Sequence, residues 1–305
     1  MSANIPTIKL NTGALIPQVG LGTWQSADGD GYKSTVEALK AGYTHIDSAM
    51  FYRNEAEVGK AIRESGIPRE KLFITTKIWP TDLQYVEETF NKSIELLGLD
   101  YVDLYLMHWP VAMNHNGNDR WYPTRPDGSI DIVDPKEWSY LDTYKEMQKL
   151  LKTGKVKAIG ISNFNKERIE KLLADPEVTV VPAVEQIELH PLLPQQELVD
   201  YCHSKGIAVE AYSPLGSTGA PILSNETIVK IAKKRGVNPA VIAISWAVWR
   251  KTIVLPKSTH AERIKANLQL VELTDEEGKE IDNIHKLLGG PKRLVDPKWG
   301  IKLFD

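Results

Sequence analysis

Only one residue in 305 is a cysteine, Cys202, so no internal disulfide is available, and a fold without disulfides suits a reducing compartment. Neither sign of charge is in excess. Lys and Arg number 37 against 40 Asp and Glu, which argues against a broad basic face for nucleic acid or an anionic membrane. No apolar run approaches the length of a membrane span, and the opening MSANIPTIKLNTG carries no apolar signal core. The histidines offer no H-x-x-x-H pair, and His45, His108 and His190 fall in separate segments, so no metal site is expected. Glycine is missing where an open, doubly wound sheet would need it to bind a dinucleotide. Gly20 and Gly22 begin a G-x-G, but the third glycine position is Gln25. These absences predict a cytoplasmic protein, monomeric or dimeric, with no nucleic-acid, membrane or metal partner. Its ligand must be recognised by local chemistry.

What is present is ordinary globular material, 42% hydrophobic and 25% charged. The length allows one large domain or two average ones. No linker, low-complexity segment or charge run divides the chain, and 1–305 reads as a single domain. Short apolar strands are expected at 18–22, 44–47, 72–77, 102–108, 157–162, 182–186, 207–213 and 252–258. Helical spacing lies between them, as in Val58, Ala61 and Ile62; Val86, Phe90, Ile94 and Leu97; and Trp138, Leu141, Tyr144 and Met147. Eight strands alternating with helices predict a closed parallel (β/α)8 barrel, with the open doubly wound sheet as competitor. The segment 8–16, with its turn NTG, reads as a β-hairpin outside the barrel, plugging its bottom.

Polar residues collect at the ends of these strands. Asp47 ends the second and Lys77 the third; His108 ends the fourth, and Ser162 and Asn163 the fifth. Gln186, Tyr212, and the pair Lys257 and Ser258 end the last three. In a barrel all these ends meet on one rim, the face where such enzymes keep their sites. The stretch HIDSAMFYRNE then makes sense: Asp47 points in from its strand while Tyr52 folds over the same mouth from the loop.

The ordered motifs GLGTW (20–24), HIDSAMFYRNE (45–55), TTKIW (75–79), LMHWP (106–110), GISNF (160–164), EQIELHP (185–191), EAYSPLGS (210–217) and LPKS…ERIKAN (255–267) run almost the length of the chain. Together they resemble the aldo-keto reductase family, and among its members the yeast and fungal reductases of glycerol-type, sugar-type and keto-ester carbonyls. The resemblance implies an NADPH-dependent reductase of aldehydes and ketones, with Asp47, Tyr52, Lys77 and His108 as the catalytic four. The chemistry agrees. Carbonyl reduction needs a hydride donor and an acid for the forming alkoxide. A tyrosine hydroxyl is that acid, but its reference pKa near ~10 is high for neutral pH. A nearby ammonium lowers it. Lys77 suits that task, Asp47 would hold Lys77, and His108 would bond the substrate oxygen or help relay the proton. A lone Lys–Asp pair on a rim is ordinarily structural; four such residues at strand ends, in family order, reverse that reading.

The hydride must come from a bound cofactor, NADPH (NADP+). Tyr212 offers a flat face for a nicotinamide ring, and Ser162, Asn163 and Gln186 offer groups for its carboxamide. The turn Ser213–Pro214–Leu215–Gly216–Ser217 offers N–H groups and hydroxyls to a pyrophosphate. Lys257, Ser258 and Arg263 suit a 2′-phosphate, which a guanidinium grips with paired bonds, so NADPH is favoured over NADH. By resemblance Asn267 contacts the adenine. Ala266 stands where the family commonly has Glu or Gln, and Glu185 where many relatives have Asn, which would place a carboxylate near the nicotinamide pocket. Ser48 replaces a commoner Thr.

Trp24, Phe51, Trp79 and Trp109 adjoin the catalytic motifs and predict an aromatic pocket for small apolar or aryl carbonyl compounds. The long segment 111–135 would overhang it with Trp121 and Tyr122. The tail 291–305 carries Trp299, and the resemblance implies that it forms part of the specificity wall. Trp138, Trp246 and Trp249 read as core packing, Cys202 as a buried residue and His190 as structural. The alternative function is an NADPH-binding regulatory or structural protein of the same fold with little turnover.

Overall fold

The computed structural model describes residues 5–26 and 28–304. The opening MSAN, Ala27 and Asp305, the last residue of the tail, lie outside the described residues. A hairpin comes first, β1 (Thr7–Lys9) and β2 (Leu15–Pro17), antiparallel with Ile8 opposite Ile16. Eight parallel strands follow: β3 (Leu21–Gly22), β4 (His45–Asp47), β5 (Phe73–Ile78), β6 (Val102–Met107), β7 (Val156–Ser162), β8 (Val184–Glu188), β9 (Ala208–Tyr212) and β10 (Ile253–Val254), paired in chain order. Helices α1 (Asp30–Ala41), α2 (Glu55–Glu64), α3 (Val86–Leu97), α4 (Tyr140–Leu150), α5 (Lys166–Ala174) and α6 (Gln196–Ser204) each follow one strand in turn. Next come α7 (Glu226–Arg235) and α8 (Pro239–Trp249) before β10, then α9 (Ala261–Ala266), α10 (Asp275–Asp282) and α11 (Ile284–Leu287). No helix among the described residues is long and apolar enough to cross a membrane.

The first and last strands are shorter than their apolar runs predict, two residues each. Beyond Val254 the chain reaches Pro256, which has no N–H to continue a ladder. Scattered bonds bring the two edges together instead. Val254 N–H donates to Gln18 O at 2.7 Å, Gly20 N–H to Val254 O at 3.0 Å and Gly22 N–H to Pro256 O at 3.1 Å, around a parallel bridge between Val19 and Val254.

Alternation along the strands sorts their side chains. Tyr105, Met107, Ile159, Ile161, Val209 and Ala211 join the large outer cluster that includes Phe90, Tyr144 and Trp246 from the helices. Phe73, Leu104, Leu106, Val184, Ala208 and Ile253 form a separate inner cluster, together with Leu10 and Ile16 of the hairpin. The hairpin therefore covers the end of the sheet at which the strands begin. The opposite end, where they finish, carries the polar side chains.

Candidate active site

The loop after β4 is built to hold Tyr52. Met50–Tyr52 forms a single 3₁₀ turn, and Arg53 then takes a left-handed φ of 57° before α2 starts at Glu55. Asn54 fixes that reversal: its amide donates to Thr23 O at 2.8 Å and Ser26 O at 3.1 Å, and Ser48 Oγ donates to its Oδ1 at 3.0 Å. Tyr52 is thereby returned to the strand end it has just left.

There it meets Lys77. The ammonium has three hydrogens and three acceptors: Asp47 Oδ1 at 2.6 Å, Ser48 O at 2.8 Å and Tyr52 Oη at 3.2 Å. Lys77 is fully buried. Burial alone would lower its pKa, but Asp47 and Tyr52 outweigh that and hold it above the ordinary value, so it stays charged. Burial pushes Asp47 up, against the pull of Lys77. For Tyr52 burial also wins: the phenol is pushed up to about 12, although Lys77 pulls it down. The expectation that Lys77 lowers this pKa identifies the right force, but not the net direction, which burial sets. His108 lies on the same mouth, its ring centroid 5.7 Å from that of Tyr52. Burial, reinforced by the charge on Lys77, holds its imidazole well below the ordinary value, so it is neutral.

A buried polar layer underlies these groups. Gln186 Nε2 donates to Asp47 Oδ2 at 2.9 Å and to Glu210 Oε2 at 2.6 Å, and His45 faces Glu210 from the other side. Glu210 and His45 are not among the site residues that the sequence predicts. Period-two alternation holds the signal, because each lies two residues before a recognised one, Tyr212 and Asp47. Glu185 is the converse case. One residue from Gln186, it must face the other way. Its side chain leaves the sheet on the outer, helix-covered face, fully buried, taking the Phe164 N–H at 2.9 Å, and burial holds its carboxyl far above the usual range. The expected extra carboxylate near the nicotinamide pocket is not there.

A cleft of about 790 Å³ extends from this mouth along the rim. Near the mouth, Tyr212 Oη donates to Asn163 Oδ1 at 2.8 Å, and Asn163 Nδ2 donates to His108 O at 2.9 Å. Asn163 adopts a left-handed φ of 64°, which asparagine tolerates better than most residues. Ser162 lies behind the wall rather than on it, its hydroxyl donating to Gln186 O at 2.7 Å. Further along, Ser213, Leu215 and Ser217 line the cleft, and the two serines are left-handed. Lys257, Ser258, Arg263 and Asn267 line the far end, with Ala266 beside them. Neither Lys257 nor Arg263 has an acidic partner among the described residues. Two uncompensated cations and a hydroxyl fit an anionic group, and the Tyr212 face beside the Gln186 amide fits a flat heteroaromatic amide. The residues present thus fit NADPH. Gln25, Thr218 and Leu294 also line the cleft, with no motif to announce them.

The mouth is aromatic. Phe51 stacks on Trp79 with centroids 3.7 Å apart, and Trp24 on Phe51 at 5.1 Å. Trp299 stands 5.0 Å from Trp109 and 6.3 Å from Trp79. Trp121, expected over the site, does not line the cleft. It packs edge-on against Phe51 at 5.5 Å, and its carbonyl accepts from Trp79 Nε1 at 2.8 Å, while its neighbour Tyr122 faces the cavity. Trp246 is buried and Trp249 half-buried, as expected. Trp138 precedes α4 instead of lying on it, because Ser139 caps that helix with a capping box; its indole is packed half-buried against the core. Cys202 is buried, and His190 bonds Glu188 at 2.8 Å. The carboxylate of Glu188 in turn receives the N–H groups of Leu294 and Val295 at 2.8 and 2.9 Å.

The sequence matches the Aldo/keto reductase family over residues 18–286. It is 54% identical to the aldehyde reductase YPR1 of Saccharomyces cerevisiae over 96% of this chain and 95% of that one. To the glycerol 2-dehydrogenase (NADP(+)) of the same yeast it is 51% identical, over 96% and 94%. The D-galacturonate reductase of Hypocrea jecorina is 48% identical, over 97% and 96%. Among solved structures, the aldose reductase from Schistosoma japonicum superposes with a TM-score of 0.87 at 37% identity, covering 95% of this chain and 94% of that one.

Proposed function

Because the chain belongs to the aldo/keto reductase family, we propose that its residues 1–305 form one catalytic domain in which Tyr52 is the acid of a carbonyl reduction. The class of reaction is NADP-dependent reduction of aldehydes and ketones to alcohols. When bound, NADPH supplies the hydride; the chain supplies the proton and the place. His108, a neutral imidazole, orients the carbonyl oxygen beside Tyr52 Oη. The phenol gives its proton to the oxygen as negative charge develops there, and Lys77 holds the phenolate left behind. Asp47 keeps Lys77 aimed at Tyr52. The carrying observation is that all three Lys77 donors are spent on Asp47, Ser48 O and Tyr52 at the mouth of an aromatic cleft.

Asn163, Gln186 and Tyr212 would hold the nicotinamide end, with Ser162 bracing the Gln186 main chain from behind the wall, and Ser213, Leu215 and Ser217 would hold the pyrophosphate. Lys257, Ser258 and Arg263 would hold the 2′-phosphate, and Asn267 the adenine. Trp24, Phe51, Trp79, Trp109 and Trp299, with Tyr122, form the substrate wall; Trp121 braces it from behind. The yeast relatives' names point to aldehydes and to the glycerol system, and the fungal one to a sugar acid, so small polar and aryl carbonyls are the substrates to expect. We place this activity in the cytoplasm and assign it to the monomer. The test is a carbonyl panel (glyceraldehyde, xylose, diacetyl, a β-keto ester, an aromatic aldehyde) assayed with NADPH and with NADH. Steady NADPH oxidation with several members is expected. Tight NADPH binding without turnover on any of them would make this a binding protein of the same fold.

A further inference from the structure

Beneath the acid site the sheet interior holds a second ionisable pair that the proposed chemistry leaves unused. Glu210 on β9 and His45 on β4 are both fully buried. His45 Nδ1 lies 3.1 Å from Pro17 O, and a carbonyl only accepts, so Nδ1 carries a hydrogen. The other ring nitrogen, Nε2, has no hydrogen-bond partner; it faces Glu210 Oε1, also without one, at 3.5 Å. Glu210 Oε2 takes one N–H of Gln186 at 2.6 Å, and Asp47 Oδ2 takes the other at 2.9 Å. Both hydrogens of that amide are therefore committed, and its carbonyl oxygen is what Gln186 has left for the cleft it lines. Two bare lone pairs facing each other in a dry interior are costly. A single proton between them removes the conflict. Gly20 keeps the ring where it is, since a Cβ there would stand 2.6 Å from His45 Nδ1.

We propose that Glu210 and His45 share one proton and, as a neutral pair, lock the Gln186 amide, which makes Glu210 a positioning residue for the acid site. This rests on the reading of Asp47, Lys77 and Tyr52 as the acid machinery. The lock works through contact: Glu210 fixes Gln186, Gln186 fixes the Asp47 oxygen that Lys77 does not use, and Asp47 fixes Lys77. It also keeps charge out of the floor. The ionisable groups facing Glu210 are His45 and Asp47 on β4, Lys77 on β5 and Tyr52 above them. Burial, with Asp47 beside it, pushes Glu210 up to about 8, and burial brings His45 down to about 4. Between these values one proton stays on the pair, on Glu210. As pH rises through about 8 the proton leaves, a second negative charge appears next to Asp47, and Tyr52 holds its own proton more tightly. Turnover in the reducing direction then falls.

Glu210→Gln preserves every bond of the neutral pair, with the amide oxygen accepting from Gln186 and the NH₂ donating to His45 Nε2. Its kcat and NADPH KM at neutral pH should stay near native, and the decline above a pH of about 8 should be absent. Glu210→Leu orphans both Gln186 and His45. Leaving buried hydrogen-bonding groups without partners is costly; kcat should drop on the order of tenfold while NADPH affinity, read by fluorescence quenching, changes little. A tenfold loss of turnover in Glu210→Gln would overturn the proposal. So would its failure to fold, or an alkaline limb that coincides with the native one. If Glu210→Leu fails to fold, Glu210→Gln decides alone. Tyr52→Phe, run alongside, separates the two layers of inference. If it retains turnover, the acid reading itself falls; if it is inactive and the Glu210 variants misbehave, only the proton-sharing pair is lost.

Discussion

At the scale of single residues, Lys77 ties the mouth together, its three N–H groups going to Asp47, Ser48 O and Tyr52. Asp47, Lys77 and His108 sit at strand ends, so their types and positions announced a rim, and the structure gathers them around Tyr52. Glu185 could not be read from neighbourhood in sequence, because one step along a strand turns a side chain to the other face. Glu210, two steps from Tyr212, shares its face by the same rule. Magnitude was less legible than geometry: whether burial or the Lys77 charge prevails at Tyr52 depends on how dry the site is, which no motif states. The cationic end of the cleft gives a test at this scale. Arg263 has no acidic partner among the described residues, so Arg263→Ala removes a ligand contact and no internal bridge. Hydrogen bonds to charged groups contribute about 1.5–3 kcal/mol, and Arg263 is exposed, so we expect about a tenfold rise in KM for NADPH with little change for NADH. Equal effects on both cofactors would show that Arg263 does not read the 2′-phosphate.

At the scale of elements, helices and central strands were legible from periodicity, while the closing strands and the loops were not. The apolar runs around β3 and β10 suggest strands of five and seven residues; Pro256 and the curl of the sheet reduce each ladder to two. The loop tryptophans show the limit most clearly, since nothing in the sequence says that Tyr122 and not Trp121 faces the cleft. The tail is held at both ends by contacts with no local signature. Glu188 caps Leu294 and Val295, and the Arg168 guanidinium donates to Leu303 O and Lys302 O, both at 2.6 Å. Trp299 between them is only 7% exposed and touches the wall, not the cofactor end. Trp299→Ala should therefore reorder the carbonyl panel, with relative kcat/KM values moving on the order of tenfold, and leave NADPH affinity nearly intact. A uniform loss across substrates together with a lower Tm would mean that the tail only supports the fold.

At the scale of the whole molecule, three separate stretches of the chain meet at the mouth where the proposed proton transfer takes place. Asp47 comes from β4, Tyr52 from the turn after it, Lys77 from β5 and His108 from the end of β6. Their order along the sequence is the order of strands around the sheet, which is why motif succession alone disclosed the architecture. The inner layer that joins them through Gln186 to Glu210 became visible only once the strands were side by side. If the four act as a unit, the losses on removing members must not add. The measurement that bears most directly on this is single-turnover and steady-state reduction by Tyr52→Phe, Lys77→Met and the double variant, with NADPH binding checked by fluorescence quenching. A positioned general acid contributes on the order of 10²- to 10⁴-fold. Each single variant should lose turnover in that range with NADPH still bound, and the double variant should be little worse than either. Near-native turnover in Tyr52→Phe with NADPH bound would contradict the account.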